Sequence, residues 1–240
     1  MDWNYSAASF LISGAIGVIL DLQSLRAWRK QPENRVAYNF FMAIAFFSIY
    51  FLYRGFAALV FTTNDQALAA VYVSSHIAIA FFIAYWLNMS IAGINPRLRT
   101  PWFFIGVLVL MTIDITLNIK YPNNPHFSAF DNVVEWGANP FIGKIHSIAV
   151  GIPLMGSLGI FIYQAVKYWH DAELRIKTLA ILAAMMVGFL VTAARDLFPS
   201  ALGVLASDLG FVFMMLIGAI FIPSYGSATI ASHHYELEQV

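Results

Sequence analysis

Residues 26–35 read RAWRKQPENR and stand between two apolar runs, LISGAIGVIL at 11–20 and FMAIAFFSIY at 41–50. A compact basic segment flanked in this way marks a loop between two membrane-crossing helices. Carrying clustered positive charge across a bilayer is opposed by the membrane potential and by anionic lipid, so such loops stay cytoplasmic. RLR at 97–99 and KYWHDAELRIK at 167–177 repeat the pattern, and the three stretches hold nine of the 13 Lys and Arg residues. The asymmetry predicts that Met1 starts outside and that seven crossings bring Val240 to the cytoplasm.

About 20 apolar residues of helix cross a bilayer, and backbone in lipid must satisfy its own polar groups, so helices are the default for runs of this length. The runs predict spans at about 7–26, 36–61, 67–92, 101–119, 141–168, 175–197 and 201–223. The expected fold is therefore all-α, a polytopic membrane protein with a seven-transmembrane-helix bundle over 1–224 and a cytoplasmic tail at 225–240. Composition agrees: the chain is 60% hydrophobic and 11% charged with a mean hydropathy of +0.72, where a soluble domain is roughly a quarter charged. A net charge of zero offers no general basic surface for nucleic acid, and the lack of Cys removes disulfides, thiolate metal sites and thiol redox chemistry.

The first basic cluster follows the first span instead of preceding it, so that span reads as a retained anchor and not as a cleaved signal. Ser9, Ser13 and Gly17 recur every four residues along it and form a seam of small side chains, expected to pack within the chain. On the opposite side from the basic loops lies the longest connection, Lys120 to Pro140. Pro122, Pro125 and Pro140 punctuate it with turns, while Phe127, Phe130 and Trp136 give it enough apolar weight to fold over the bundle as a lid. Trp3, Trp28, Trp86, Trp102, Trp136 and Trp169 fall near inferred helix ends or in loops, as in an interfacial aromatic belt; the alternative is a cage for a cationic ligand. His233 and His234, with Glu236 and Glu238 in the tail, read as a solvated group with weak chelating capacity.

Ionisable groups inside a span cost roughly 2.5–3.5 kcal/mol each on insertion scales, so each needs a partner, a wet cavity or a function. Here they gather toward the outer side: Arg54, His76, Asp114, Glu135, Lys144, His146, Arg195, Asp196 and Asp208, with Asp21 alone at an inner helix end near Arg26 and Arg29. Asp114 and Asn118 are one turn apart and share a face. The set is nearly charge-balanced and has two readings, a web of buried ion pairs or a polar pocket open to the outside. Arg195 and Asp196, directly before Pro199, read as an interfacial anchor. The pocket residues expected are Arg54, His76, Asp114, Asn118, His146 and Asp208 from the helices, with Glu135 and Trp136 from the outer loop.

His76 and His146 fall on the third and fifth spans at similar depth, as axial ligands of a b-type haem would. No other cofactor and no metal site is expected. Motifs of zinc proteases, serine hydrolases and phosphate-binding loops are absent, and the last span has no Lys to form a retinal Schiff base. Nor do two matching interrupted spans suggest the inverted repeats of transporters; Pro153 is a single kink candidate.

In layout the chain resembles the seven-helix membrane sensor module found at the N-terminus of some bacterial histidine kinases and cyclase-type signalling proteins. The likeness rests on the basic loop with Pro32, on Asn95-Pro96-Arg97-Leu98-Arg99 before the fourth span, and on Val134-Glu135-Trp136-Gly137 shortly before His146. Glu173-Leu174-Arg175-Ile176-Lys177, opening the sixth span, completes it. The resemblance implies a bacterial inner-membrane protein, an outward-facing pocket for a small ligand, and signal output; with only a short tail after Pro223, that output is expected either from a separate cytoplasmic or membrane partner or not at all. The expected function is thus a non-enzymatic sensor or membrane subunit of a complex embedded in a lipid bilayer. A haem-bearing electron-transfer subunit and a small-molecule transporter or membrane enzyme are the alternatives.

Overall fold

Each of the first three helices begins at an asparagine. The side chains of Asn4, Asn34 and Asn64 accept the backbone N–H of Ala7, Ala37 and Ala67 at 3.0, 3.1 and 3.0 Å, satisfying donors that a helix start leaves open. From these caps run α1 (Tyr5–Lys30), α2 (Arg35–Val60) and α3 (Asp65–Ile94). Proline opens α4 (Pro101–Lys120) and α5 (Pro140–Lys167), where its missing N–H costs nothing. Asp171 caps α6 (Ala172–Leu197), and α7 (Ala201–Phe221) follows. The computed structural model describes residues 4–95, 101–122, 124–136, 140–197 and 201–221. Within them, seven helices are long and apolar enough to cross a membrane.

The expected spans coincide with these helices, and α1 departs furthest from its expected end. It continues through the basic run to Lys30 and stops at Gln31, whose backbone has left the helical region ahead of Pro32; the residue before a proline is pushed toward extended conformations. Pro153 lies inside a continuous α5. The 97–99 basic run, the side chains of Glu173, Arg195 and Asp196, Trp3, Gly137 and the tail with its His pair lie outside the described residues.

The long loop adds an element that an all-α expectation does not contain. Strands β1 (His126–Ser128) and β2 (Val133–Glu135) pair antiparallel, with Asn132 in the left-handed region at φ 55° in the turn. This hairpin folds back onto the helix ends, as a lid would. The Tyr5 N–H donates to the Asn132 carbonyl at 2.9 Å, and the Val134 N–H donates to the Ser6 hydroxyl at 3.1 Å. Ser6 in turn donates to Asp208 on α7 at 2.7 Å. Val133 and Val134 of β2 and Trp136 just beyond it are buried.

The small-residue seam of α1 packs inside the chain. Ser9, Ser13 and Gly17 are all buried, and a Cβ on Gly17 would sit 2.4 Å from the Ser48 hydroxyl of α2 and 2.9 Å from Met215 of α7. Large apolar side chains then fill the interior, led by Phe10, Phe47 and Phe51 near the hairpin and by Phe40, Trp86 and Phe161 toward the other end. Exposed apolar residues such as Phe103, Val109, Ile148 and Leu190 cover the outside, as lipid-facing positions require.

Gly17→Val should lower bundle stability by roughly 1–3 kcal/mol through overpacking against α2 and α7. Gly106→Ala, whose added Cβ meets nothing within 4 Å, should change it little. Thermal unfolding of the two variants in detergent checks the contrast.

Candidate functional site

Arg54 stands in the interior of the bundle only 4% exposed. Three ring faces surround its guanidinium: Tyr50 at 4.7 Å, one helical turn earlier on α2, Tyr72 of α3 at 4.8 Å, and Trp136 from the hairpin at 4.7 Å. Its Nε donates to the Ser75 hydroxyl at 3.0 Å. Ring quadrupoles attract a cation strongly once water is removed. An aromatic cage thus exists, and the cation inside it is the protein's own. Among the described residues no carboxylate lies within 4.0 Å of this guanidinium, so the buried ion-pair web that the charge balance allowed does not form around Arg54.

The carboxylate expected nearby makes other contacts. Asp114 on α4 is fully buried, and its Oδ2 lies 2.9 Å from Nδ1 of His146 on α5 and 3.9 Å from Nε2 of His76 on α3. Asn118, one turn along, donates to the Asp114 carbonyl at 2.9 Å and to its Oδ1 at 3.3 Å. His76 donates from Nδ1 to the Tyr72 carbonyl at 2.7 Å, since a carbonyl can only accept. The two imidazoles meet edge to face, their centroids 4.7 Å apart at 82°. A haem bound by two histidines has its flat macrocycle between the rings. Rings already in contact leave no room for one, so this pair does not bracket a haem as arranged here.

His76, His146 and Arg54 line one end of an internal cavity of about 450 Å³. Beyond them the walls are almost wholly apolar and run down to Phe40 and Leu20 near the opposite end of the bundle, past Phe47, Phe82 and Trp86. Since Arg54 and Phe40 are 14 residues apart on one helix, the cavity extends about 21 Å along the bundle axis. Ser147 on its wall is exposed, so it reaches the bundle surface beside α5.

Five expected pocket residues do not line the cavity: Asp114, Asn118 and Trp136 are buried behind the residues that do, and Glu135 and Asp208 lie elsewhere. Glu135 points away from the interior and faces His126 across the hairpin at 3.7 Å, both side chains being substantially exposed at 40% and 52%. Asp208 is buried against Ser6, where it ties α7 to α1 and the hairpin. Lys144 is exposed on α5, and Asp21 makes no ion pair with Arg26 or Arg29 among the described residues. Two tryptophans depart from the interfacial belt: Trp136 is 0% exposed over Arg54, and Trp86 is buried in the cavity wall. Tyr50, Tyr72 and Ser75 went unnoticed in sequence, although Tyr50 shares a helix face with Arg54, and Tyr72, Ser75 and His76 share another.

Fold and site together define a class: a seven-helix bundle of the integral membrane type, with an internal chamber that is apolar along its length and polar at one end. No protein family and no curated protein matches the chain.

Ser6→Ala would leave the Val134 N–H and the Asp208 carboxylate without a shared partner, a loss of about 1–3 kcal/mol for a buried polar group. Hydrogen exchange should show the Val134 amide exchanging faster in this variant while amides in the middle of α3 keep wild-type protection.

Proposed function

We propose that this protein is an integral membrane ligand-binding protein of receptor type, and that its ligand is an elongated, largely apolar molecule with an anionic head. The observation that carries this reading is Arg54, a buried guanidinium on the wall of a long apolar chamber with no carboxylate beside it among the described residues. Aromatic faces and one hydroxyl stabilise the cation without neutralising it. An anionic group entering from the chamber would supply a charge-assisted, bidentate partner, the geometry a guanidinium fork favours. The apolar tail would lie along Phe47, Phe82 and Trp86 toward Phe40.

The layout resemblance to seven-helix sensor modules favours a sensing role, with a separate membrane or cytoplasmic partner carrying the output. In this reading the basic loops lie in the cytoplasm and the hairpin covers the outer end, so the ligand head sits in the outer half of a bacterial inner membrane. Trp136 links the chamber to the lid, since it packs on Arg54, Tyr72 and Phe10 at once. A ligand that changes the position of Arg54 would bias the hairpin, and its differential affinity for the two arrangements limits the response.

The ligand reading is tested with a fluorescent polyunsaturated fatty acid and its alcohol analogue, titrated into the purified full chain. The acid should bind at least about tenfold tighter than the alcohol, the size of a charge-assisted hydrogen bond. Arg54→Gln should remove that preference while retaining alcohol binding; equal binding of both probes to the wild type would rule the anionic head out. Orientation is checked separately: a tag after Val240 should resist protease in intact cells and be cut once the membrane is opened, and cleavage in intact cells would place the hairpin end inside.

A further inference from the structure

We propose that Asp114, His76 and His146 form a binding site for one divalent first-row transition-metal ion at the polar end of the chamber. One ligand atom from each of the three residues falls within 4.8 Å of the others. Donors about 2 Å from a tetrahedral ion are about 3.3 Å apart. The observed separations of 2.9 and 3.9 Å from Asp114 Oδ2 bracket that value, so the side chains need only small rotations to close on an ion.

The orientation of His76 is the strongest indication. Its Nδ1 proton is committed to the Tyr72 carbonyl, which leaves the Nε2 lone pair directed at a buried carboxylate oxygen 3.9 Å away. Two acceptors that face each other at a buried position are unfavourable unless something positive sits between them. At that separation a single shared proton makes no hydrogen bond, whereas a metal ion with bonds of about 2 Å bridges the pair.

The surroundings match what metal ligands require around them. A ligating histidine generally gives its other ring N–H to a carbonyl or carboxylate, and a ligating carboxylate is itself hydrogen-bonded. His76 does the first through Tyr72, and Asp114 the second through Asn118. On binding, the ion takes the place of the proton at His146 Nδ1, which passes to Nε2 of the same imidazole, so the ring ligates as a neutral donor. Two imidazoles and one carboxylate select an ion of the Zn²⁺ or Fe²⁺ type over Mg²⁺ or Ca²⁺. His76 and His146 are both on the cavity wall, so the remaining coordination position faces the chamber. Arg54 does not compete for Asp114, being held apart within its cage.

The test uses the full chain, purified without a polyhistidine tag, stripped with a chelator and titrated with Co²⁺ and then Zn²⁺. The expected result is about one equivalent of tightly held ion, with visible d–d bands from Co²⁺ that Zn²⁺ abolishes. His146→Gln, at a partly exposed position, and His76→Gln should each weaken binding at least about tenfold. A variant with His233→Ala and His234→Ala should bind as the wild type does, which separates this site from chelation by the tail. Circular dichroism of each variant without metal shows whether it is folded, and Asn118→Ala, which keeps all three ligands, gives a milder perturbation expected to weaken binding without abolishing it. The proposal is overturned if the folded wild type takes up no ion, if uptake survives both histidine substitutions unchanged, or if it disappears with the tail histidines. A merely hydrogen-bonded network would give the first of these outcomes. The metal titration is read without any fatty-acid probe, so its failure would leave the Arg54 reading standing, and the reverse also holds.

Discussion

A guanidinium keeps its charge in proteins, and Arg54 holds one in a part of the chain whose outer surface is apolar enough for hydrocarbon. Much of the arrangement at this end of the bundle follows from stabilising that charge without a carboxylate. Tyr50 supplies one ring from the same helix face, Tyr72 a second from α3, and Trp136 a third from outside the helices altogether. The third ring is there only because the hairpin folds inward, and the hairpin is secured through Ser6 and Asp208 on two further helices. The cation thus connects α2 and α3 to the lid, and the lid connects to α1 and α7.

The polar end therefore contains two groups of opposite character side by side. Arg54 is a positive centre stabilised by ring faces on the chamber wall. Asp114 is a negative centre hydrogen-bonded by Asn118 and His146, with His76 turned toward it but too distant to bond. Had the two met directly, the result would have been a sealed ion pair, which desolvation makes only weakly stabilising. Held apart, the two remain separate charged centres instead of closing on each other as a structural tie.

Helix α1 has a different part in this. Its seam of Ser and Gly lets α2 and α7 approach closely, and that contact places Ser6 at the meeting point of hairpin and α7. Close packing between α1 and α2 contrasts with the chamber that α2 borders together with α3, α5, α6 and α7, where Gly143, Gly151, Gly188 and Gly218 line the wall. Small residues thus bring backbones together on one side and leave volume on the other, depending on what faces them.

The sequence alone determined the helices and their number, because about 20 apolar residues between polar, proline-bearing or basic loops have few other stable states in a bilayer. It also indicated that His76, Asp114, Asn118, His146 and Arg54 lie at one end, since each is a known number of residues from a helix boundary. What it could not supply was rotation. A one-residue change in register turns a helical side chain by about 100°, so depth is legible where direction is not. Glu135 was expected inside and points out, Trp136 was read both as part of an interfacial belt and as a pocket residue and closes a cage, and Asp208 was expected in the pocket but binds Ser6. The two histidines share a depth, yet only their packing shows them in contact and without space for a macrocycle between them. Apart from the pairing of Glu135 with His126 inside the hairpin, these outcomes depend on contacts between residues 32 to 202 positions apart, and only the tertiary structure, through the packing angles of the seven helices and the inward fold of the hairpin, decided them.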